Sequence, residues 1–577
     1  MFFSAQKDVS GQVVLVTGSA NGIGRQIALN FARLGAILVL WDIDEENNKE
    51  TAELALAYGA LAVYTYKCDL RVKKEIYAVA DQVKKEVGDV NILINNAGIL
   101  FGKDFIDLPD SDMEETLEVN TKAHFWTCKA FLPAMIACNR GHLVTISSIA
   151  ALCGCYKLTD YSASKSAAFG FLESIAFELR DAGKKGIKTT IVCPGYVDTK
   201  LITNANTARP IRLPVFDVKY IGRQIVDGIL KEKFYVVLPP YARLILLKML
   251  FEYFFLKKWF TILQNISEYN LDSFRGWENM LLKRIMSIIR SILDTFKFII
   301  LFIYYCFEAF VLMFFCVKKN VAGKIVLVTG SANGIGKEIA LNFARLHTIL
   351  VLWDIDEEGN KKTAELVKAN GALAVYTYKC DLRIKEEIYA VADQVKKEVG
   401  NVNILINNAG VLSRKNFIDL HDSDIEETIE VNTKAHFWTC KVFLPTMITH
   451  NEGHLVTIAS LASLFGGKNI TDYAASKFAA FGFLESVAFE MRAAGKKGIK
   501  TTIVCPGYVN TRLITGLKTA RPILLPIMDV GYVARKIVDA ILKEKFYVVL
   551  PCHLRLIVLK IFLPKKAVLL IAEYLGL

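Results

Sequence analysis

Two tyrosine and lysine pairs hold the most chemistry in the chain: Tyr161 with Lys165, and Tyr473 with Lys477. Side chains four apart on a helix stand one above the other on the same face. An ammonium so placed favours the phenolate of a phenol whose ordinary pKa is ~10, so the spacing predicts tyrosines lowered toward use as bases near neutral pH. The spacing alone recurs by chance in many helices, and the surrounding residues have to give it meaning.

The second such stretch is Thr17-Gly-Ser-Ala-Asn-Gly-Ile-Gly24, between an apolar run and a helical pattern. Glycines there permit a tight turn and close approach of the backbone, and a helix N-terminus attracts a pyrophosphate. Gly18, Asn21, Gly22, Ile23 and Gly24 are therefore dinucleotide-binding candidates, and Gly330, Asn333, Gly334, Ile335 and Gly336 repeat them. Asp42 ends the next apolar run, as does Asp354. A carboxylate there can accept hydrogen bonds from ribose hydroxyls and repels a 2′-phosphate, which favours NAD over NADP. An ordinary helix cap is the competing use of Asp42. Asp69 and Asp381, with Asn96-Ala97-Gly98 and Asn408-Ala409-Gly410, can line the adenine side of the same crevice.

These residues need a scaffold, and the chain supplies it twice. An offset of 312 residues carries Thr17 onto Thr329, Asp42 onto Asp354, Tyr161 onto Tyr473 and Pro194 onto Pro506 without a gap. So long a period is the duplication of a whole domain. In the first copy, short apolar runs at Val13–Val16, Ile37–Trp41, Leu61–Tyr66, Ile92–Ile94, His142–Ile146, Lys188–Val192 and Tyr235–Val237 read as strands. Helical patterns at Ile23–Leu34, Asp44–Ala57 and Lys73–Val87 fall between them. Buried strands alternating with helices predict an α/β fold: two tandem Rossmann-like, doubly wound parallel sheets with ligands at the carboxyl ends of the strands.

At 577 residues and 53% hydrophobic composition the chain is long and apolar enough for two cores and a membrane contact. The expected organisation is a first α/β domain over 1–240, an amphipathic tail over 241–280, a membrane anchor over 281–317, a second such domain over 318–552 and an apolar tail over 553–577. Phe298–Val317 carries one charge, Glu308, between flanking lysines, and is long enough to cross a hydrocarbon core of ~30 Å. The net charge of +12 is spread along helices and beside apolar segments, which argues against a nucleic-acid partner. The 12 cysteines form no CxxC pair, so neither a metal site nor a disulfide framework is expected. The N-terminus has no apolar run of signal-peptide length.

Taken together, TGSANGIG, Asp69-Leu70, NNAG, Asn120, Ser148, YSASK and Pro194-Gly195 resemble the motif series of the short-chain dehydrogenase/reductase family, in both copies. Stretches such as LVLWDID and KGIKTTIVCP are similar to its membrane-associated members acting on retinol and hydroxysteroids. The resemblance implies a proton-accepting Tyr161, with Lys165 holding the nicotinamide ribose and lowering the tyrosine pKa. It further implies that Ser148 orients the substrate oxygen and that Asn120 keeps a water in the proton path. Pro194, Gly195, Val197 and Thr199 would flank the nicotinamide. The same roles fall to Tyr473, Lys477, Ser460, Asn432, Pro506, Gly507, Val509 and Thr511.

The function implied is oxidation of a lipophilic alcohol, retinol first, by NAD at the endoplasmic reticulum membrane or a lipid droplet, with both domains facing the cytosol. Hydroxysteroid oxidation, retinal reduction and a non-catalytic membrane scaffold are the alternatives. The two domains are expected to pair within one chain or between chains. Differences between the copies, Ala459 for Ser147 and Phe465-Gly-Gly467 for Cys153-Gly-Cys155, are expected near the substrate and are read as a source of different preferences.

Overall fold

Seven short runs of β-branched and aliphatic residues in each copy assemble into one parallel sheet. The computed structural model describes residues 7–199, 201, 215–249, 318–516 and 519–576. In the first copy the strands are β1 (Val13–Thr17), β2 (Ile37–Asp42), β3 (Ala62–Lys67), β4 (Ile92–Asn95), β5 (Gly141–Ile146), β6 (Ile187–Pro194) and β7 (Tyr235–Leu238), in spatial order β3-β2-β1-β4-β5-β6-β7. The helices are α1 (Gly22–Ala32), α2 (Glu45–Ala57), α3 (Lys73–Glu86), α4 (Asp110–Leu117), α5 (Ala123–Cys138), α6 (Thr159–Asp181) and α7 (Val218–Leu230). The order reverses beside β1, where β2 lies on one side and β4 on the other, and that reversal opens the crevice in which such sheets bind ligands.

Alternation along β1 decides which layer covers which face. Val14 and Val16 join Ile27, Phe31 and Ile225 beneath α1 and α7. Leu15 points the other way, with Val39, Trp41, Ile76 and Phe125 beneath α3 and α5. Between α4 and α5 the chain makes one π turn over Glu118–Lys122, which turns Asn120 inward. Single π turns are rare and tend to mark working sites.

The second copy repeats this with β8 (Ile325–Thr329), β9 (Ile349–Asp354), β10 (Ala374–Lys379), β11 (Ile404–Asn407), β12 (Gly453–Ile458), β13 (Ile499–Pro506) and β14 (Tyr547–Leu550), in the same spatial order. Its helices are α8 (Gly334–Ala344), α9 (Glu357–Ala369), α10 (Lys385–Glu398), α11 (Asp422–Ile429), α12 (Ala435–His450), α13 (Thr471–Ala493) and α14 (Val530–Leu542), followed by α15 (Lys565–Leu575).

The copies meet through α6 and α13, which run antiparallel. A side-chain carbon on Gly170 would strike the Phe478 ring at 2.3 Å, and one on Gly482 would strike the Ser166 hydroxyl at 2.5 Å. One continuous apolar cluster passes through both copies, with Phe171 against Phe417 (5.3 Å) and Phe105 against Phe483 (5.2 Å). Lys129 donates to the carbonyls of Ile418 and Leu420, and Lys441 donates to those of Ile106 and Leu108.

The C-terminal segment also joins the copies. After β14 a 3₁₀ stretch, Cys552–Phe562, leads into α15. Lys560 Nζ pairs with Glu173 Oε2 at 2.6 Å, both side chains buried, and Arg180 pairs with Glu573 at 2.7 Å. The tail expected to rest on a membrane is thus held in part by the first copy, while Leu556, Leu570 and Tyr574 stay exposed. In the first copy the matching segment, at the start of the expected amphipathic tail, is a 3₁₀ stretch over Pro240–Met249, a tighter winding than an α-helix. The remainder of that tail and the expected anchor, Phe298–Val317 included, lie outside the described residues. Among the described residues no helix is long and apolar enough to cross a membrane.

Candidate active site

The glycine turn forms because positive φ and close approach are required at adjacent points. Gly18 and Gly22 have φ of 67° and 56°. A Cβ on Gly24 would stand 2.0 Å from the Gly18 carbonyl oxygen. Asn96 supports the turn from behind, its Nδ2 donating to the carbonyls of Thr17 (2.9 Å) and Gly18 (3.0 Å). Thr17 Oγ1 accepts from Asn96 N and Ala97 N. The Thr17 hydroxyl is a supporting residue that sequence reasoning missed.

The first turn of α1 has neither a side-chain cap nor an acidic residue, and α8 matches it. Its outward N–H groups are therefore left for an anion, the complement a pyrophosphate needs. This is what fits the crevice to a dinucleotide.

Asp42 is not the cap of the next helix. That part belongs to Asp44, which accepts from Asn47 N at 3.1 Å. Asp42 is held by Ala20 N (2.8 Å) and Asp44 N (2.9 Å), and burial pushes its pKa up. Asp354 has the same donors, Ala332 N and Asp356 N. Asp69 is gripped by the Arg71 guanidinium, which holds its carboxyl below the usual range, and Arg383 does the same for Asp381. Both arginines line the crevices and were missed from sequence, because a charged residue two past an aspartate carries no local signal.

A crevice of about 500 Å³ gathers Gly18, Asn21, Gly22, Ile23, Asp42, Asp69, Asn96, Ala97 and Gly98 with Ser148, Tyr161, Lys165, Pro194, Gly195, Val197 and Thr199. In the second copy about 390 Å³ is lined by Gly330, Asn333, Gly334, Ile335, Asp354, Asp381, Asn408, Ala409, Gly410, Ser460, Tyr473, Lys477, Pro506, Gly507, Val509 and Thr511. Gly24 and Gly336 pack beneath their turns instead of lining the space. Asn120 and Asn432 are fully buried behind it. The Asn120 side chain is committed to Ile99, whose N–H it accepts at 2.8 Å and whose carbonyl it donates to at 3.0 Å, and to Ser164 Oγ at 3.0 Å. A Cβ on Gly98 would lie 3.0 Å from Lys165 Nζ and 3.3 Å from Asn120 Oδ1, so the asparagine, the glycine and the lysine are packed together.

On α6 the Lys165 ammonium lies 5.7 Å from the centre of the Tyr161 ring and donates to the Ile146 carbonyl at 3.0 Å. Lys477 and Tyr473 repeat both distances. Ser148 caps the short 3₁₀ turn after β5, its Oγ accepting from Ala150 N.

One expectation is corrected here. The Tyr161 pKa is not lowered: burial pushes it up to about 12, against a smaller opposing effect of a hydrogen bond with Ser148. Tyr473 is likewise raised. Desolvation penalises the phenolate, and the ammonium is turned toward a carbonyl instead of the hydroxyl. The same burial brings Lys165 and Lys477 down to about 8.

The copy differences divide. Ser147 and Ala459 line the two crevices, Ser147 Oγ donating to the Lys165 carbonyl while Ala459 leaves the Lys477 geometry unchanged. Phe465 is buried against Phe177 of the first copy at 4.9 Å, at the interface and not at the substrate.

The short chain dehydrogenase family matches residues 12–210 and again 324–521, and the chain belongs to that family. Human epidermal retinol dehydrogenase 2 is 54% identical over 261 residues, covering 45% of this chain and 84% of that protein. Bovine short-chain dehydrogenase/reductase family 16C member 6 is 46% identical over 292 residues, covering 50% and 91%. Human retinol dehydrogenase 10 is 40% identical over 286 residues, covering 45% and 84%. Among solved structures, a short chain dehydrogenase/reductase from Burkholderia phymatum in complex with NAD is 26% identical, with a TM-score of 0.38, covering 41% of this chain and 94% of that one. The chain is an oxidoreductase acting on alcohols, with a nicotinamide dinucleotide as its cofactor.

Proposed function

We propose that each copy oxidises a lipophilic alcohol, retinol foremost, to its carbonyl compound with NAD, at a membrane surface. The observation that carries this reading is the convergence, in both crevices, of a serine, a tyrosine and a lysine with an uncapped helix N-terminus and an acidic ribose site. The names of the relatives supply the substrate class, retinol. Asp42 and Asp354 favour NAD, since a 2′-phosphate would meet a carboxylate there. The membrane reading rests on exposed apolar residues of the second copy, Leu513, Ile523 and Ile527 before α14 and Leu556 and Leu570 after β14.

A bound nicotinamide would supply the hydride acceptor. Gly18, Gly22 and the start of α1 would hold the pyrophosphate, Asp42 the adenosine ribose, and Lys165 the nicotinamide ribose. Ser148 orients the alcohol oxygen, and Tyr161 lies on the same wall to take its proton. Burial holds Tyr161 protonated in the empty crevice, so taking the alcohol's proton requires that the bound cofactor and substrate favour its phenolate. Asn120, its side chain spent on Ile99 and Ser164, would serve a proton path through its main chain.

The test is NAD reduction by membranes carrying the chain, with retinol against a panel of lipid alcohols. Retinol-dependent NADH formation that disappears in Tyr161→Phe with Tyr473→Phe supports the reading. Formation that persists in the double variant defeats it.

A further inference from the structure

The loop that leads into each tyrosine is held from the other copy. Glu178, on α6 of the first copy, extends its carboxylate to three donors of the second. Its Oε2 accepts from Phe417 N (2.8 Å), and its Oε1 accepts from Asn469 N (3.1 Å) and Thr471 Oγ1 (2.6 Å). Thr471 is two residues before Tyr473.

Glu490, on α13, returns the arrangement. Its Oε2 accepts from Phe105 N (2.8 Å) and its Oε1 from Thr159 Oγ1 (2.6 Å), with the Lys157 backbone as a further donor. Further pins follow the same stretch: Gly466 N to Glu173, Gly467 N to Ser174 Oγ, and in mirror image Gly154 N to Glu485 and Cys155 N to Ser486 Oγ.

The loop needs such holding. Lys157 and Asn469 both adopt φ of 60°, a left-handed conformation that an asparagine enters readily and a lysine uncommonly. In each copy that residue donates its N–H to the opposing glutamate. Each clamp also grips the start of the segment before α4 or α11, through Phe105 or Phe417.

We propose that Glu178 and Glu490 are positioning residues acting across the interface, each setting the tyrosine of the opposite copy, so that a crevice works fully only in the paired molecule. The proposal rests on the dehydrogenase reading of the tyrosines.

The test uses the full chain in two backgrounds. Tyr161→Phe leaves only the second copy able to turn over, and Tyr473→Phe leaves only the first. Glu178→Ala is expected to lower kcat at least tenfold in the Tyr161→Phe background and less than twofold in the Tyr473→Phe background, with KM for NAD unchanged in both. Glu490→Ala reverses the pattern. Glu178→Gln, which keeps one acceptor oxygen and the side-chain volume, recovers part of the loss.

Hydrogen exchange on the same proteins supplies a readout that needs no substrate. Glu178→Ala should speed exchange over residues 466–473 while 154–161 stays protected. Equal losses in both backgrounds, a loss confined to the copy carrying the altered glutamate, or unchanged exchange would overturn the proposal. Should neither background oxidise any lipid alcohol, the substrate reading falls and the exchange pattern alone decides the clamp.

Discussion

The two crevices repeat each other closely, whereas the surfaces through which the copies meet repeat only in part. Lysine to ring distance is 5.7 Å in both crevices, lysine to carbonyl distance 3.0 Å, and the aspartate at the ribose site accepts from the same pair of donors. At the interface Phe465 stacks on Phe177 where the first copy offers Cys153, and Phe478 fills the notch at Gly170 where only Ser166 faces Gly482. In a symmetric homodimer every interface substitution is made twice and must suit both sides. Fusing the copies removes that condition, so each half of the interface can be packed separately while reaction geometry holds both crevices to one form.

The sharpest way to break the comparison is to take both tyrosines to phenylalanine. Loss of a positioned proton acceptor is expected to cost about 10²–10⁴-fold in kcat, and each single change should remove only the share of its own copy, read by NADH formation. An interface insensitive to copy identity would be exposed next by Lys560→Met. Leaving Glu173 buried without its ammonium is expected to cost about 3–5 kcal/mol in chemical denaturation. Phe478→Ala should cost about 3–5 kcal/mol by opening a cavity at Gly170, against less than 1 kcal/mol for Ser166→Ala at the matching point. In the crevices Asp42→Ser and Asp354→Ser should each move the NAD over NADP preference of their own copy toward NADP by about tenfold, measured in the corresponding tyrosine background.

The smallest effect concerns pH. Burial raises Glu178 and Glu490 to about 7 from an ordinary 4.5. Glu178 faces Asp472 and Lys129 besides its donors, and Glu490 faces Asp104 and Lys441. A carboxyl raised on folding holds its proton longer in the folded state. Its contribution is therefore full below about pH 4.5 and is lost as pH rises through about 7. Thermal unfolding should fall by several degrees between pH 5 and 7.5 and level off above. The variant with both Glu178→Gln and Glu490→Gln should flatten that slope.

Much of this was legible because it is local. The strand and helix alternation, the glycine turn and the tyrosine to lysine spacing each lie within a few residues, and the sheet order follows from connections between neighbouring elements. Asp42 could be separated from the helix cap only once Asp44 was seen taking that part. The clamp could not be read at all, since Glu490 and Phe105 stand 385 positions apart and neither has an unusual neighbourhood in sequence. The tyrosine pKa went the wrong way because spacing places the lysine on the right face but is silent on burial and on the Ile146 carbonyl that takes the ammonium's hydrogen bond. Phe465 was read toward the substrate because its loop follows Ser460, yet the loop turns outward to the other copy.

The Lys560 pairing has a consequence for how the chain comes off the ribosome. Glu173 is made long before Lys560, so the first copy must wait through the synthesis of the second for its counter-charge. A product broken off between Leu550 and Lys560 would contain both complete sheets and still leave the Glu173 carboxylate without that cation in the seam between them.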